Sequence, residues 1–323
     1  MITNHSSFLS RLFHPERHSS SLIWLVLAAL VIIVVTIVPE FVTPSNLSNV
    51  FVQMVPLGLV SVGQTFVILA GGIDLSVGSQ ISLVTLIAAN IMGDSVLSIL
   101  FSIFLCLLAG LAFGFLNGVL VHKVQIPPLI VTLCTGFIFQ GIAYALHKTT
   151  GGYISANFQK VITASWGVLS MPFFLFIFFL LIGFYLLNRT RFGRYIYALG
   201  GNEEVLANTG VNTGRIKVAS YVIAGVMAAI TGLYLAARVK SGGALYGVPF
   251  TLNSVTAVVV GGSPLSGGEG GLAGTTAGVV IVSMLNNVLN LISFRFNLQS
   301  TFYKEILTGV ILVIAMLFYR KRS

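Results

Sequence analysis

Charge is what this sequence has least of: 8% of its 323 residues are charged while 56% are hydrophobic, and the mean hydropathy is +0.98. A soluble domain carries about 25% charged residues. With so few, a water-facing surface cannot be covered, and the exterior must face lipid. Cysteine is nearly absent too. Cys106 and Cys134 both fall inside apolar runs, which excludes a disulfide framework and leaves no zinc-ligand spacing. There is no GxxxxGK(S/T) phosphate loop, no GxSxG nucleophile turn and no HExxH, so neither ATP binding by that loop nor hydrolytic chemistry is expected. The five histidines lie outside or at the ends of apolar runs, unpaired at ligand spacing. We therefore expect no cofactor, no metal and no enzymatic activity. The net charge of +9 is spread between apolar runs and at both ends rather than gathered in a patch with interleaved aromatics, which speaks against a nucleic-acid partner.

Long apolar runs, by contrast, fill the chain. They lie near 22–38, 51–70, 79–93, 96–120, 127–147, 171–188, 217–237, 251–262, 271–292 and 302–319. A helix needs about 20 apolar residues to cross a bilayer, so the runs predict an all-α polytopic membrane protein of about ten transmembrane helices. The polar residues 1–20 precede the first run without a small-residue cleavage site, so that run is expected to remain as a helix. Placing the N-terminus in the cytoplasm puts eleven Lys and Arg residues inside and six outside. That bias favours both termini on the cytoplasmic side, with 21–320 as one transmembrane domain.

Two runs, 79–93 and 251–262, are short for a crossing, and each abuts a glycine-rich stretch. One contains Gly71, Gly72, Asp74, Ser76 and Gly78; the other contains Gly261, Gly262, Gly267 and Gly268. Interrupted helices are tolerated at membrane depth only where protein or a polar cavity satisfies the freed backbone groups. The segment Gly268–Ala273 formally fits a GxGxxG/A dinucleotide pattern but lacks the soluble βαβ context, so its glycines are read as a tight turn.

Asp74 sits between two apolar spans without a charged neighbour. A carboxylate at such a place costs about 2.5–3.5 kcal/mol on insertion scales. Three readings are open: it holds an ion or proton, it touches a solute, or it caps the following helix through the amides of Ser76 and Val77. Neutral amides also dot the apolar runs. Gln64, Asn90, Asn286 and Asn290 are candidates to line a path for a polyhydroxylated solute, although amides also serve interhelical packing. In the longest cytoplasmic connection, 189–216, Asn202 is placed to cap a short helix carrying Glu203 and Glu204 in its first turn, with Gly210 to close it. An ordinary polar connector is an equal reading there.

These stretches carry a resemblance. VILAGGIDLSVGS (67–79), TRFGRYIYALGGN (190–202), VVGGS (259–263) followed by Gly267-Gly268, and LNNVLNL (285–291) resemble the motifs of bacterial carbohydrate ABC-importer permeases of the ribose, xylose, arabinose and galactose group. The likeness runs from about residue 25 to 320. It implies a type II importer permease fold of ten helices in the bacterial cytoplasmic membrane, working as a homodimer or with a related permease. It further implies an ATPase subunit on the cytoplasmic face, a periplasmic or lipid-anchored solute-binding protein outside, and a small polar solute. In this group the segment from Asn202 to Val211 corresponds to the coupling helix that enters the ATPase groove, which singles out Gly201, Asn202, Glu203, Ala207 and Gly210. Relatives usually carry an acidic residue where this chain has Asn253. The competing expectation from the residues is a proton- or cation-coupled secondary transporter built around Asp74.

Overall fold

The computed structural model describes residues 17–166 and 169–295, together with Gly309. The helices are α1 (Arg17–Ile37), α2 (Pro44–Leu69), α3 (Val77–Ile91), α4 (Val96–Val124), α5 (Pro128–Leu146), α6 (Ala156–Ile162), α7 (Met171–Arg189), α8 (Arg191–Gly201), α9 (Glu203–Asn208), α10 (Thr213–Val239), α11 (Val248–Val260) and α12 (Leu272–Arg295). Two short antiparallel pairings complete the described chain: Thr150 opposite Gly243 with Gly151 opposite Gly242, and Ser165 opposite Ser170 with Trp166 opposite Leu169.

Six helices, α2, α4, α5, α7, α10 and α12, are long and apolar enough to cross a membrane. Three shorter apolar segments belong to α1, α3 and α11. Nine of the ten apolar runs thus coincide with helices, and the tenth, 302–319, lies outside the described residues along with most of the polar segment 1–20. The chain is a multi-pass helical membrane protein. The connection at 189–216 holds two helices, α8 and α9, where one short helix or a plain connector was expected.

The inside of this bundle is as apolar as its outside, so burial by itself does not sort the helices. Small residues do. Gly110, Gly114 and Gly118 recur every fourth residue on α4, and side chains there would run into the backbone of α10 at Gly225, Tyr221 and Val218. Their absence lets the two helices meet backbone to backbone, the arrangement that drives helix association where lipid offers no hydrophobic contrast. The opposite face of α4 is bare, with Leu97, Leu100, Phe101, Phe104 and Phe115 all exposed. Such a face suits an apolar surrounding. Helices α2 and α10, in contrast, are buried along most of their length, and α2 packs against α7, α10, α11 and α12. The core around α2 and α10 is therefore the place where the two short helices, α3 and α11, are held.

Candidate functional site

Both interrupted helices end in the same hydrogen-bonded turn. At the end of α2 the Gly71 amide donates to Ile68 O at 2.9 Å and the Gly72 amide to Val67 O at 2.9 Å. At the end of α11 the Gly262 amide donates to Val259 O at 2.9 Å and the Ser263 amide to Val258 O at 3.2 Å. This pair of bonds defines a Schellman motif, whose central residue must be left-handed. Gly71 at φ +77° and Gly262 at φ +93° supply that conformation, which costs any other residue about 1–2 kcal/mol. The motif glycines therefore terminate helices and satisfy their last carbonyls internally.

The two turns then meet. The Gly268 amide, in the loop after α11, donates to Leu69 O at the end of α2, at 3.0 Å. Into the same place comes the C-terminus of α8, where a Cβ on Gly200 would overlap Leu69 O and the Gly268 amide. Tyr197 on α8 adds a hydrogen bond to Gly270 O at 3.0 Å. Three separated sequence motifs, 67–79, 190–202 and 259–268, thus converge on one backbone junction. Gly261 packs on Gly274 at the head of α12, and Gly78 packs on Gly247 and Thr251 at the head of α11.

Helices α8 and α9 are defined by local capping. The Thr190 hydroxyl accepts the Gly193 amide at 3.2 Å and starts α8. Asn202 ends α8 and starts α9, its Oδ1 accepting the Val205 amide at 3.0 Å. Glu203 lies in the first turn of α9 and pairs with Lys217 of α10 at 2.5 Å. Gly210, at φ +80°, closes the turn through its amide bond to Ala207 O at 3.0 Å. Leu206 is buried beneath α9, whereas Val205, Ala207, Asn208 and Gly210 are exposed. Gly201 is exposed, with open space where a side chain would stand. This helix pair therefore presents an outer face to solvent while its inner end is locked onto the junction.

Beneath the junction lies Asp74, fully buried. Its Oδ1 accepts the Ser76 amide at 2.9 Å and the Ser76 hydroxyl at 2.6 Å. It therefore organises the turn into α3, as capping would, through Ser76, one of the two amides expected. Ser76 Oγ in turn accepts Gln80 Nε2 at 2.6 Å and Asn117 Nδ2 from α4 at 2.7 Å. The Ile73 carbonyl is held by the Thr132 hydroxyl of α5 at 3.1 Å and by the Tyr221 hydroxyl of α10 at 3.5 Å. A cavity of about 310 Å³ opens beside this turn, lined by Gly71, Gly72, Tyr221, Gly200, Asn202, Glu203 and Lys217 among others. It connects the helix break with the α8–α9 corner.

The four amides singled out as path candidates are not brought together. Gln64 is buried within α2, and neither its Nε2 nor its Oε1 finds a hydrogen-bond partner among the described residues. Asn90 sits at the far end of α3, donating to Leu86 O at 2.8 Å and bonded to the His147 ring at 3.0 Å. Asn286 is half-buried and Asn290 exposed on α12. Their neighbour Asn287 instead pairs reciprocally with Asn46 of α2, two amide bonds of 3.0 Å each. The roles of Asn46, Gln80, Asn117 and Thr132 were missed from sequence. The four-residue spacing of Ser76 and Gln80 is a signal that could have found one of them.

Comparison with known proteins finds relatives over most of the chain. The family described as "Branched-chain amino acid transport system / permease component" matches residues 46–316. The chain is 37% identical over 297 residues to the ribose import permease protein RbsC of Bacillus subtilis, covering 91% of this chain and 90% of that protein. It is 35% identical over 305 residues to RbsC of Escherichia coli, covering 92% of each, and 33% identical over 303 residues to the L-arabinose transport system permease protein AraH of Escherichia coli, covering 92% and 89%. No solved structure matches it. The chain belongs to this family of permease components, and so it is a membrane transport subunit and not an enzyme.

Proposed function

We propose that the chain carries a sugar or sugar-like solute across the bacterial cytoplasmic membrane as the permease subunit of an ATP-driven importer. The observation that carries this reading is the backbone junction of Gly200, Leu69 and Gly268, which ties an exposed helix pair directly to both helix breaks. A push on α8–α9 by a partner ATPase reaches α2, α3, α11 and α12 without passing through flexible side chains. Similarity to two ribose permeases and an arabinose permease over nine-tenths of the chain favours a carbohydrate. Family membership also favours this reading over a secondary transporter built on Asp74.

On this reading ten helices span the membrane with both termini in the cytoplasm, and two permease copies flank the path. A solute-binding protein delivers from outside, and the ATPase docks on Val205, Ala207 and the neighbouring exposed residues of α9. Gln64, Asn90, Asn286 and Asn290 line the route in turn as access alternates, which fits their dispersion over the outer ends and the core. Gln64 supports this most, because a fully buried amide with no partner among the described residues is expected to find one in another state. The test is to purify the chain after gentle extraction and identify what accompanies it. A two-domain ATPase at equal copy number, lost on changing Glu203 and Gly210 together, is the expected result. A chain that purifies alone and still moves labelled ribose into vesicles refutes the importer reading.

A further inference from the structure

The end of α7 gathers positive charge that no acidic side chain answers among the described residues. Along this helix Phe174, Phe178, Leu181 and Tyr185 are exposed, and Arg189 continues their stripe at helical spacing. Phe176, Leu180 and Leu187, on the other face, are buried. An apolar stripe that passes through a tyrosine into an arginine is what the boundary between hydrocarbon and headgroups selects. Arg189 therefore stands at headgroup level.

Two further arginines are folded back beside it. Thr190 turns the chain: its hydroxyl donates to Leu186 O at 2.6 Å and accepts the Gly193 amide at 3.2 Å. A side chain at Gly193 would run into the carbonyls of Leu186 and Leu187, so the first turn of α8 lies directly on the last turn of α7. Arg191 and Arg194 are three apart on α8, which makes them surface neighbours, and both are exposed. Arg191 is two residues from Arg189, at most about 7 Å along the backbone. Three guanidinium groups thus spring from one corner. None of them is in an ion pair among the described residues, where the pair found is Glu203–Lys217. The first turn of α8 holds no acidic residue, and cations at the positive end of a helix are unfavourable until an anion joins them.

Membrane orientation counts lysine and arginine alike, so it accounts for charge at this corner but not for arginine three times over. Arginine differs from lysine in its planar fork, which holds phosphate oxygens two at a time. At headgroup level beside an apolar stripe, the phosphate within reach is that of a lipid, and clustered cations next to a spanning helix favour an anionic one.

We propose that Arg189, Arg191 and Arg194 bind the phosphate of one anionic phospholipid, whose acyl chains lie along Phe178, Leu181 and Tyr185. The lipid closes the corner between α7 and α8. Because α8 ends at the Gly200 junction, it also fixes the level of the α8–α9 pair against the membrane. The site needs a chain that spans a bilayer and does not rest on the importer reading.

The experiment melts the full chain in nanodiscs of phosphatidylcholine, then in nanodiscs where phosphatidylglycerol replaces part of it. Bulk lipid effects act on any variant, so the reading is the gain of the wild type over a combined Arg189→Lys, Arg191→Lys and Arg194→Lys variant, which keeps the charge and loses the fork. A lipid at tenfold above its dissociation constant gives a gain of about 3–6 °C. A combined Lys123→Gln and Arg215→Gln variant, which removes exposed cations from α4 and α10, is expected to keep that gain. All of these positions are exposed, so the variants retain the fold. Inorganic phosphate added to phosphatidylcholine nanodiscs is expected to give no gain. The proposal is overturned by a lysine variant that gains as much as the wild type, by loss of the gain in the Lys123 and Arg215 variant, or by an equal gain from inorganic phosphate alone.

Discussion

At the residue scale, the glycines of the motifs differ in what they do, and neighbouring positions separate the reasons. Gly200 touches backbone: a methyl there meets Leu69 O and the Gly268 amide, neither of which can rotate away. Gly201, one position on, faces open space. Gly200→Ala is therefore expected to separate α8 from the breaks and abolish ATP-driven uptake, while Gly201→Ala stays within twofold of wild type. Equal uptake by the two variants would show that the junction transmits nothing. Ser76 is the corresponding polar position. Ser76→Ala deletes a hydroxyl that serves three side chains and strands two buried amide donors, at about 1–3 kcal/mol for each unsatisfied group. Thermal unfolding in detergent should show a large drop, and an unchanged melting temperature would contradict the network.

At the element scale, the helices are joined by a few specific pairs rather than by general apolar contact. Asn46 and Asn287 hold α2 to α12 through reciprocal amide bonds within a buried site. Replacing either with Ala strands its partner at about 1–3 kcal/mol, whereas replacing both with Leu removes the polar groups together and costs less than the sum. A double-mutant cycle on unfolding reads this directly, and strictly additive effects would argue against the pair. The Glu203–Lys217 bridge between α9 and α10 is partly exposed, with side-chain exposures of 44% and 21%. Its contribution to stability is expected at no more than about 1 kcal/mol and to fade with added salt. Lys217→Ala should leave melting nearly unchanged, and a loss of uptake beyond that small change would mark the pair as part of the coupling corner.

At the scale of the whole molecule, stability and transport make opposing demands on the same core. Gln64 lies fully buried in α2 with both polar ends unpaired among the described residues. Gln64→Leu removes that burden and is expected to raise the melting temperature, since an unpaired buried polar group costs about 1–3 kcal/mol. If Gln64 lines the route in another state, the same variant loses most ATP-driven uptake. A variant that gains stability and keeps full uptake would reassign Gln64 to packing.

The membrane class, the helices themselves and the two interruptions are legible along the chain. Apolar length, glycine and capping residues act over a few positions, and a bilayer rewards them wherever they occur. Asn202 as a cap and Gly210 as a left-handed closing residue are of this kind, because each bond spans three residues. The bounds of α8 were missed: its sequence, RFGRYIYALGG, reads as polar loop until the junction beneath it supplies a surface for Ile196 and Leu199 to bury. The distant partners of Ser76 and of Asn46 were hidden for a different reason. Asn117 lies 41 residues from Ser76 and Asn287 lies 241 from Asn46. An amide inside an apolar run has no local preference that names its partner; that choice belongs to the packing of α4 on α10 and of α12 on α2, where backbone approach brings distant polar groups within reach of one another.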